Sequence, residues 1–275
     1  MDSLLEERER TLAGILAGHR ALVVAYSGGV DSSYLLAVAV EVLGERALAA
    51  TAVSPSLPAG ERADAAALAA RLGVRHVEVV TDEADRPEYR RNDPDRCFHC
   101  KSALFDVLEP LAARFAEATI AVGTVTDDLG DHRPGQRAAR DRGVATPLAD
   151  AGLGKDDVRE LSRRRGLPTW DKPAAACLAS RVVYGLQVTP GRLSRIERAE
   201  AWLRSRLGAH ANLRVRDHGE VARVEVDRHL LEPTAMLADE LAALLHELGW
   251  RYATLDLAGF RSGSLNVGLQ PRDHA

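Results

Sequence analysis

The chain has 275 residues, 46% of them hydrophobic, 28% charged and only 4% aromatic, with a formal net charge of −4. That length accommodates one large domain or two modest ones, and the shortage of aromatics leaves a core of Ala, Val and Leu. The acidic balance argues against a nucleic-acid partner, since proteins that grip nucleic acid usually carry a basic surplus.

The charged N-terminal decapeptide Met1 to Arg10 is helical in pattern and has no apolar signal core. No stretch of about 18 apolar residues is available to span a membrane, so a cytoplasmic protein without a membrane partner is expected. Ala21 to Tyr26 is an apolar strand that runs into a glycine loop, and Ser32 to Leu43 is an apolar helix. A strand over 47–53, an Ala-rich helix over 59–72 and a strand over 76–80 follow. Lys101 to Phe115 has helical apolar spacing, Thr119 to Gly123 is a strand, and 155–165 is helical again. Strands alternating with helices of this size predict βαβ units, a parallel sheet and helices on both of its faces. The pattern then changes. A helix over 190–207 precedes strands at 212–216 and 221–227 joined by Asp217-His218-Gly219-Glu220, then a helix over 237–248 and a strand over 252–257. The expected organisation is an α/β domain over 1–185 and a small α+β domain over 186–275.

The loop Ser27-Gly28-Gly29-Val30-Asp31-Ser32 sits between the first strand and its helix. Gly28 and Gly29 tolerate positive φ and leave room for a ligand against the backbone. Backbone N–H groups and a helix N-terminus then face an anion. No lysine follows the glycines, so this is not a Walker loop. A plain strand-to-helix turn is the bland reading. Asp31 repels phosphate and suits Mg²⁺ or loop orientation. A second polar loop, Gly123-Thr124-Val125-Thr126-Asp127-Asp128, follows a strand on the same sheet, and Asp127 with Asp128 suits the same hard cation. The two aspartates could equally cap a helix. Lys155 could reach a phosphate or lie on the surface.

The glycine loop resembles that of the PP-loop ATP pyrophosphatase superfamily, which carries SGGxDS after its first strand. That resemblance implies ATP bound at the carboxyl ends of the strands, cleaved between the α and β phosphates, with a substrate left adenylated.

Three cysteines remain: Cys97 and Cys100 in Arg96-Cys97-Phe98-His99-Cys100-Lys101, and Cys177. An odd number without a signal peptide does not suggest disulfides. Inert buried thiols would not account for the C-x-x-C. A thioredoxin-like pair would open a helix after a first strand, which this pair does not. Structural zinc wants four ligands, with His99 awkwardly placed as the fourth. Three thiolates also suit a [4Fe-4S] cluster with one open iron.

Lys172 to Arg181 with Tyr184-Gly185 resembles the sulfur-donor segment of the LarE family. So do Gly123 to Asp128 with Asp131 to Gly135, Leu213 to His218, Ala222 to Glu225 and Arg261 to Asn266, in order along nearly the whole chain. The resemblance implies an ATP-dependent sulfurtransferase of nickel-pincer cofactor synthesis, which serves lactate racemase. Such an enzyme adenylates a carboxylate of pyridinium-3,5-biscarboxylic acid mononucleotide and converts it to a thiocarboxylate. It implies one of two sulfur sources: a lone cysteine matching Cys177 that surrenders its own sulfur, or a [4Fe-4S] cluster on Cys97, Cys100 and Cys177. Three cysteines fit the second. It also implies ATP and Mg²⁺ as cofactors, a small-molecule substrate and a homo-oligomer. Ser180 and Arg181 are expected to position substrate beside Cys177. Arg214 and Arg216 lie on one face of a strand and suit a phosphate, although ion pairs on a solvated face would explain them too. Glu200 is a candidate substrate-site or metal-binding residue. A cluster-dependent tRNA thiolase is the rival enzyme, and a nucleotide-sensing module the non-enzymatic alternative.

Overall fold

The computed structural model describes residues 2–129, 134–173, 176–208, 211–261 and 264–265. Of the motif residues named above, Asp131, His132, Arg133, Ala174, Ala175, Ser262, Gly263 and Asn266 lie outside them. The chain divides into two compact units: Met1–Glu83 with Cys97–Ala175, and Ala84–Arg96 with Ala176–Ala275. The expected boundary near residue 185 falls inside the second unit.

In chain order the elements begin with α1 (Asp2–Ala17), β1 (Leu22–Ala25), α2 (Val30–Leu43), β2 (Ala47–Val53), α3 (Ala59–Arg71) and β3 (Arg75–Val80). The single turn α4 (Pro87–Arg90) belongs to the second unit. Then come α5 (Arg96–Arg114), β4 (Thr119–Ala121), α6 (Thr126–Leu129), α7 (Pro134–Asp141), α8 (Pro147–Asp150) and α9 (Lys155–Arg164). The rest comprises α10 (Pro190–Leu207), β5 (Leu213–Asp217), β6 (Val221–Val226), α11 (Leu231–Met236), α12 (Ala238–Glu247) and β7 (Tyr252–Leu255).

The first unit is the expected α/β sheet, parallel throughout, in the order β3-β2-β1-β4. Alternation along the strands divides its core in two. Leu22, Val24, Ala47, Ala49 and Ala121 face one way, against Leu12 and Leu16 of α1, Leu35 and Leu36 of α2, and Leu161 of α9. Val23, Leu48, Ala50 and Val122 face the other, against Leu104, Phe105 and Leu108 of α5 and Ala138 and Ala139 of α7. With so few aromatics the sheet is built from small aliphatic side chains, so the helices pack close to it.

Helix α5 starts at Arg96, five residues earlier than its apolar spacing suggests. The C-x-x-C therefore occupies a first helical turn, but that helix follows β3 rather than β1. The second unit carries a small sheet in the order β5-β6-β7, with β5 and β6 antiparallel, as a hairpin requires, and β7 parallel to β6. Helix α10 packs on β5 through Leu193, Ile196, Ala199 and Leu203. Thr189 caps it by accepting the Arg192 N–H at 3.3 Å, with Pro190 in the first helical position. No helix among the described residues is long and apolar enough to cross a membrane.

Candidate active site

The loop between β1 and α2 is held by its own serines. The Ser27 and Ser32 hydroxyls lie 3.0 Å apart, the Ser27 N–H donates to Ser32 Oγ at 3.3 Å, and the Gly29 N–H donates to Ser27 Oγ at 3.4 Å. Gly28 adopts φ +71°, where an added Cβ would lie 2.9 Å from Ala65 Cβ on α3. Gly29 caps α2 without a side-chain hydrogen bond, which leaves the first N–H groups of the helix for a ligand. A pocket of about 200 Å³ opens beside it. Its lining includes Ser27, Gly29, Asp31 and Ser32 of the loop, Gly123 and Asp128 after β4, and Lys101 and Phe105 of α5. It lies where the chain leaves β1 and β4. The neighbours of β1 on its other side, β2 and β3, precede β4 in sequence, so this is the sheet's switch point, where α/β folds bind ligands.

The two adjacent aspartates have different work. Asp127 accepts the Lys155 N–H at 2.8 Å and so caps α9; it is not part of the pocket lining. Asp128 is buried and lines the pocket, with its Oδ1 3.5 Å from Lys155 Nζ. Burial, and then the charge of Asp128, raise the Asp31 pKa; Lys155 and Arg159 oppose that only in part. A buried carboxylate whose charge is disfavoured beside a second one suits a divalent cation.

Cys97 is exposed and Cys100 half-buried, and neither is in a disulfide. Arg137 stacks over the Phe98 ring between them, 4.2 Å from its centre. Within either unit, no three described His, Cys, Asp or Glu side chains are gathered as a metal would need.

In the second unit Cys177 precedes a 3-10 turn, Leu178–Arg181. Its carbonyl accepts from Ser180 Oγ at 2.7 Å and from Arg181 Nη1 at 2.9 Å. Arg181 is buried and forms a two-pronged ion pair with Glu200, at 3.0 and 3.2 Å. Glu200 also takes Arg204 Nη2 at 3.0 Å and the Val215 N–H at 3.1 Å. All five residues of β5 are buried, so Arg214 and Arg216 are not on a solvated face. Arg216 is paired with Glu225 at 2.8 Å and donates to the Ser180 carbonyl at 3.2 Å. Arg214 lies over the Phe260 ring. Burial, and then the nearby Arg181 charge, push its pKa down to about 10. Ser180, Arg181, Glu200 and Arg216 thus form one connected set around the Cys177 backbone, with Arg214 near enough to feel the charges of Arg181 and Glu200.

Sequence reasoning missed Lys101 and Phe105 as pocket residues. The signal was their spacing: Cys97, Lys101 and Phe105 recur every four residues, one stripe of a helix. Gln136 and Gly135 of α7 also line the pocket, and nothing in their spacing marks them.

A family model described as asparagine synthase matches residues 10–96, which contain the glycine loop. A pyridinium-3,5-bisthiocarboxylic acid mononucleotide synthase of Lactiplantibacillus plantarum is 34% identical over 266 residues, 96% of this chain and 96% of its own. The chain belongs to that synthase family, the LarE family of PP-loop enzymes. An uncharacterized protein of Synechocystis is 42% identical over 96% of this chain and 98% of its own. The B subunit of a glutamine-hydrolysing GMP synthase from Methanoculleus marisnigri is 29% identical over 163 residues, 55% of this chain and 52% of its own. As a LarE-family member the chain is an ATP-dependent sulfurtransferase.

Proposed function

We propose that the chain adenylates a carboxylate of pyridinium-3,5-biscarboxylic acid mononucleotide and converts it to a thiocarboxylate, a step of nickel-pincer cofactor synthesis. The observation that carries this reading is the match to the synthase over 96% of each chain, which takes in both units. ATP would occupy the loop pocket, its phosphates on the Ser27–Ser32 backbone and Mg²⁺ between Asp31 and Asp128. The substrate carboxylate attacks the α-phosphorus, the bond to the bridging oxygen breaks and pyrophosphate leaves. A soft sulfur nucleophile then displaces AMP from the acyl carbon. The substrate's phosphate suits Arg214, whose charge is disfavoured by burial and by Arg181 and would be relieved by an anion.

Sulfur is assigned to a [4Fe-4S] cluster on Cys97, Cys100 and Cys177. What supports this is the chemistry of the donors alone: three thiols outside disulfides, two of them one helical turn apart on α5. When bound, the cluster would supply sulfide to the activated carboxyl. The chain's own part is to hold Cys177 by its carbonyl through Ser180 and Arg181.

Anaerobic reconstitution tests the cluster. Wild type should hold iron and acid-labile sulfide with broad visible absorption, and C97S, C100S and C177S should each lose it. A colourless, zinc-bound protein would exclude the cluster. Mass spectrometry after turnover with ATP and the mononucleotide should show thiocarboxylate and intact Cys177. Loss of H₂S from Cys177 would transfer the sulfur source to that side chain. AMP release with tRNA but not with the mononucleotide would overturn the substrate.

A further inference from the structure

The chain has 36 lysines and arginines, and only three are lysines: Lys101, Lys155 and Lys172. All three lie in the first unit. A chain that otherwise meets its need for cations with arginine places lysine where a compact, point-like charge serves and a flat guanidinium does not. Two of the three are committed to carboxylates. Lys155 Nζ is 3.5 Å from Asp128, and Lys172 Nζ is 2.8 Å from Glu61 and 3.2 Å from Asp64. Lys101 has no such partner among the described residues. It is half-buried on α5, its stem packs on Gly135 (where a Cβ would lie 3.2 Å from Lys101 Cγ), and it lines the pocket with Ser27, Ser32, Asp31 and Asp128.

We propose that Lys101 is a phosphate-contacting catalytic residue of the adenylation step. The assignment rests on reading the loop pocket as the ATP site. The pocket has a side suited to Mg²⁺, at Asp31 and Asp128, and on its α5 wall an ammonium with no carboxylate partner among the described residues. A triphosphate brings several negative charges into about 200 Å³, and the loop supplies mainly neutral donors. The Lys101 ammonium neutralises the α-phosphoryl oxygens while the carboxylate oxygen bonds to phosphorus and pyrophosphate departs with the electron pair of the bridging bond. The lysine keeps its proton throughout.

The test is MgATP and adenosine binding by calorimetry to the full chain, with K101M, K101Q, S32A and the exposed α5 control R114M. K101M and K101Q should weaken MgATP by about tenfold or more, the loss of one charge-assisted contact. They should leave adenosine affinity and Tm unchanged, and R114M should bind as wild type. A merely structural role would move adenosine binding or Tm together with ATP. Wild-type MgATP binding by both Lys101 variants, with S32A impaired, overturns the assignment alone. Unchanged binding in S32A as well overturns the pocket reading and Lys101 with it.

Discussion

Gly123 lies so close to Ser32 that a Cβ on it would sit 2.8 Å from the Ser32 nitrogen and 2.9 Å from the Asp31 carbonyl carbon. Both are backbone atoms, so no rotamer change can make room. The exit from β4 and the first turn of α2 are locked together through a glycine that has no turn to make. Gly123→Ala should push the loop away from its place. The expected cost is about 1–3 kcal/mol of stability, as for an overpacked core, with a loss of MgATP affinity. Urea titration and calorimetry check both, and wild-type ATP binding by the variant would show that the close approach does not set the loop.

Gly28 is constrained in two separable ways. Its φ of +71° is a left-handed conformation, costing a residue with a Cβ about 1–2 kcal/mol. Its Cβ would also crowd Ala65 at 2.9 Å. Gly28→Ala should therefore destabilise and weaken ATP binding. Adding Ala65→Gly should restore part of the loss, because it removes the crowding but not the dihedral cost. A double-mutant cycle by urea unfolding measures the coupling; strict additivity would mean that the two residues do not collide.

The β1–loop–α2 passage was readable because an apolar run, two glycines and a helical pattern are all local. The start of α5 was not, because its first turn, Arg96 to Cys100, carries a C-x-x-C pattern that suggests a ligand loop as readily as a helix, and the aliphatic spacing begins only at Leu104. Asp127 and Asp128 look alike in sequence; only the approach of the α9 N-terminus makes the first a cap. The membership of 84–96 in the second unit was invisible for the same reason. It depends on Asn92, at φ +61°, whose side-chain N–H groups donate to the carbonyls of Val182, Val183 and Leu186. The burial of Arg214 and Arg216 follows from long-range partners, Phe260 over the first and Glu225 with the Ser180 carbonyl at the second, which strand alternation alone does not reveal.

Asp31 pits stability against function. Its pKa is raised above the ordinary 3.8, first by burial and then by Asp128. An acid with a raised folded pKa holds its proton more tightly in the folded state, so ionisation above the ordinary value weighs against folding. In magnesium-free buffer near neutrality, Asp31→Asn should therefore have a higher Tm than wild type, and the gap should close as pH falls below the ordinary value. The same variant should bind MgATP about tenfold or more weakly, for want of a charged cation ligand. Differential scanning fluorimetry across pH decides the first part; a destabilised apo variant would mean that the carboxylate serves the fold.

The Arg181–Glu200 pair should dominate acid behaviour in the second unit. Burial would raise the Glu200 pKa, but Arg181, helped by Arg204 and Arg214, outweighs it and holds the carboxyl below its ordinary 4.5. A depressed folded pKa contributes stability that is fully present above the ordinary value and is lost as pH falls through the folded one. Wild type should accordingly lose stability on acidification below about pH 4.5, and Glu200→Gln should flatten that part of the curve. At neutral pH the variant leaves Arg181 buried without its counter-charge, at an expected cost of about 3–5 kcal/mol. Arg181→Met should cost less, because Glu200 keeps Arg204 and the Val215 N–H. Chemical denaturation of the three proteins from neutral to acid pH separates these effects. Parallel curves for wild type and Glu200→Gln would show that another carboxylate governs the acid limb.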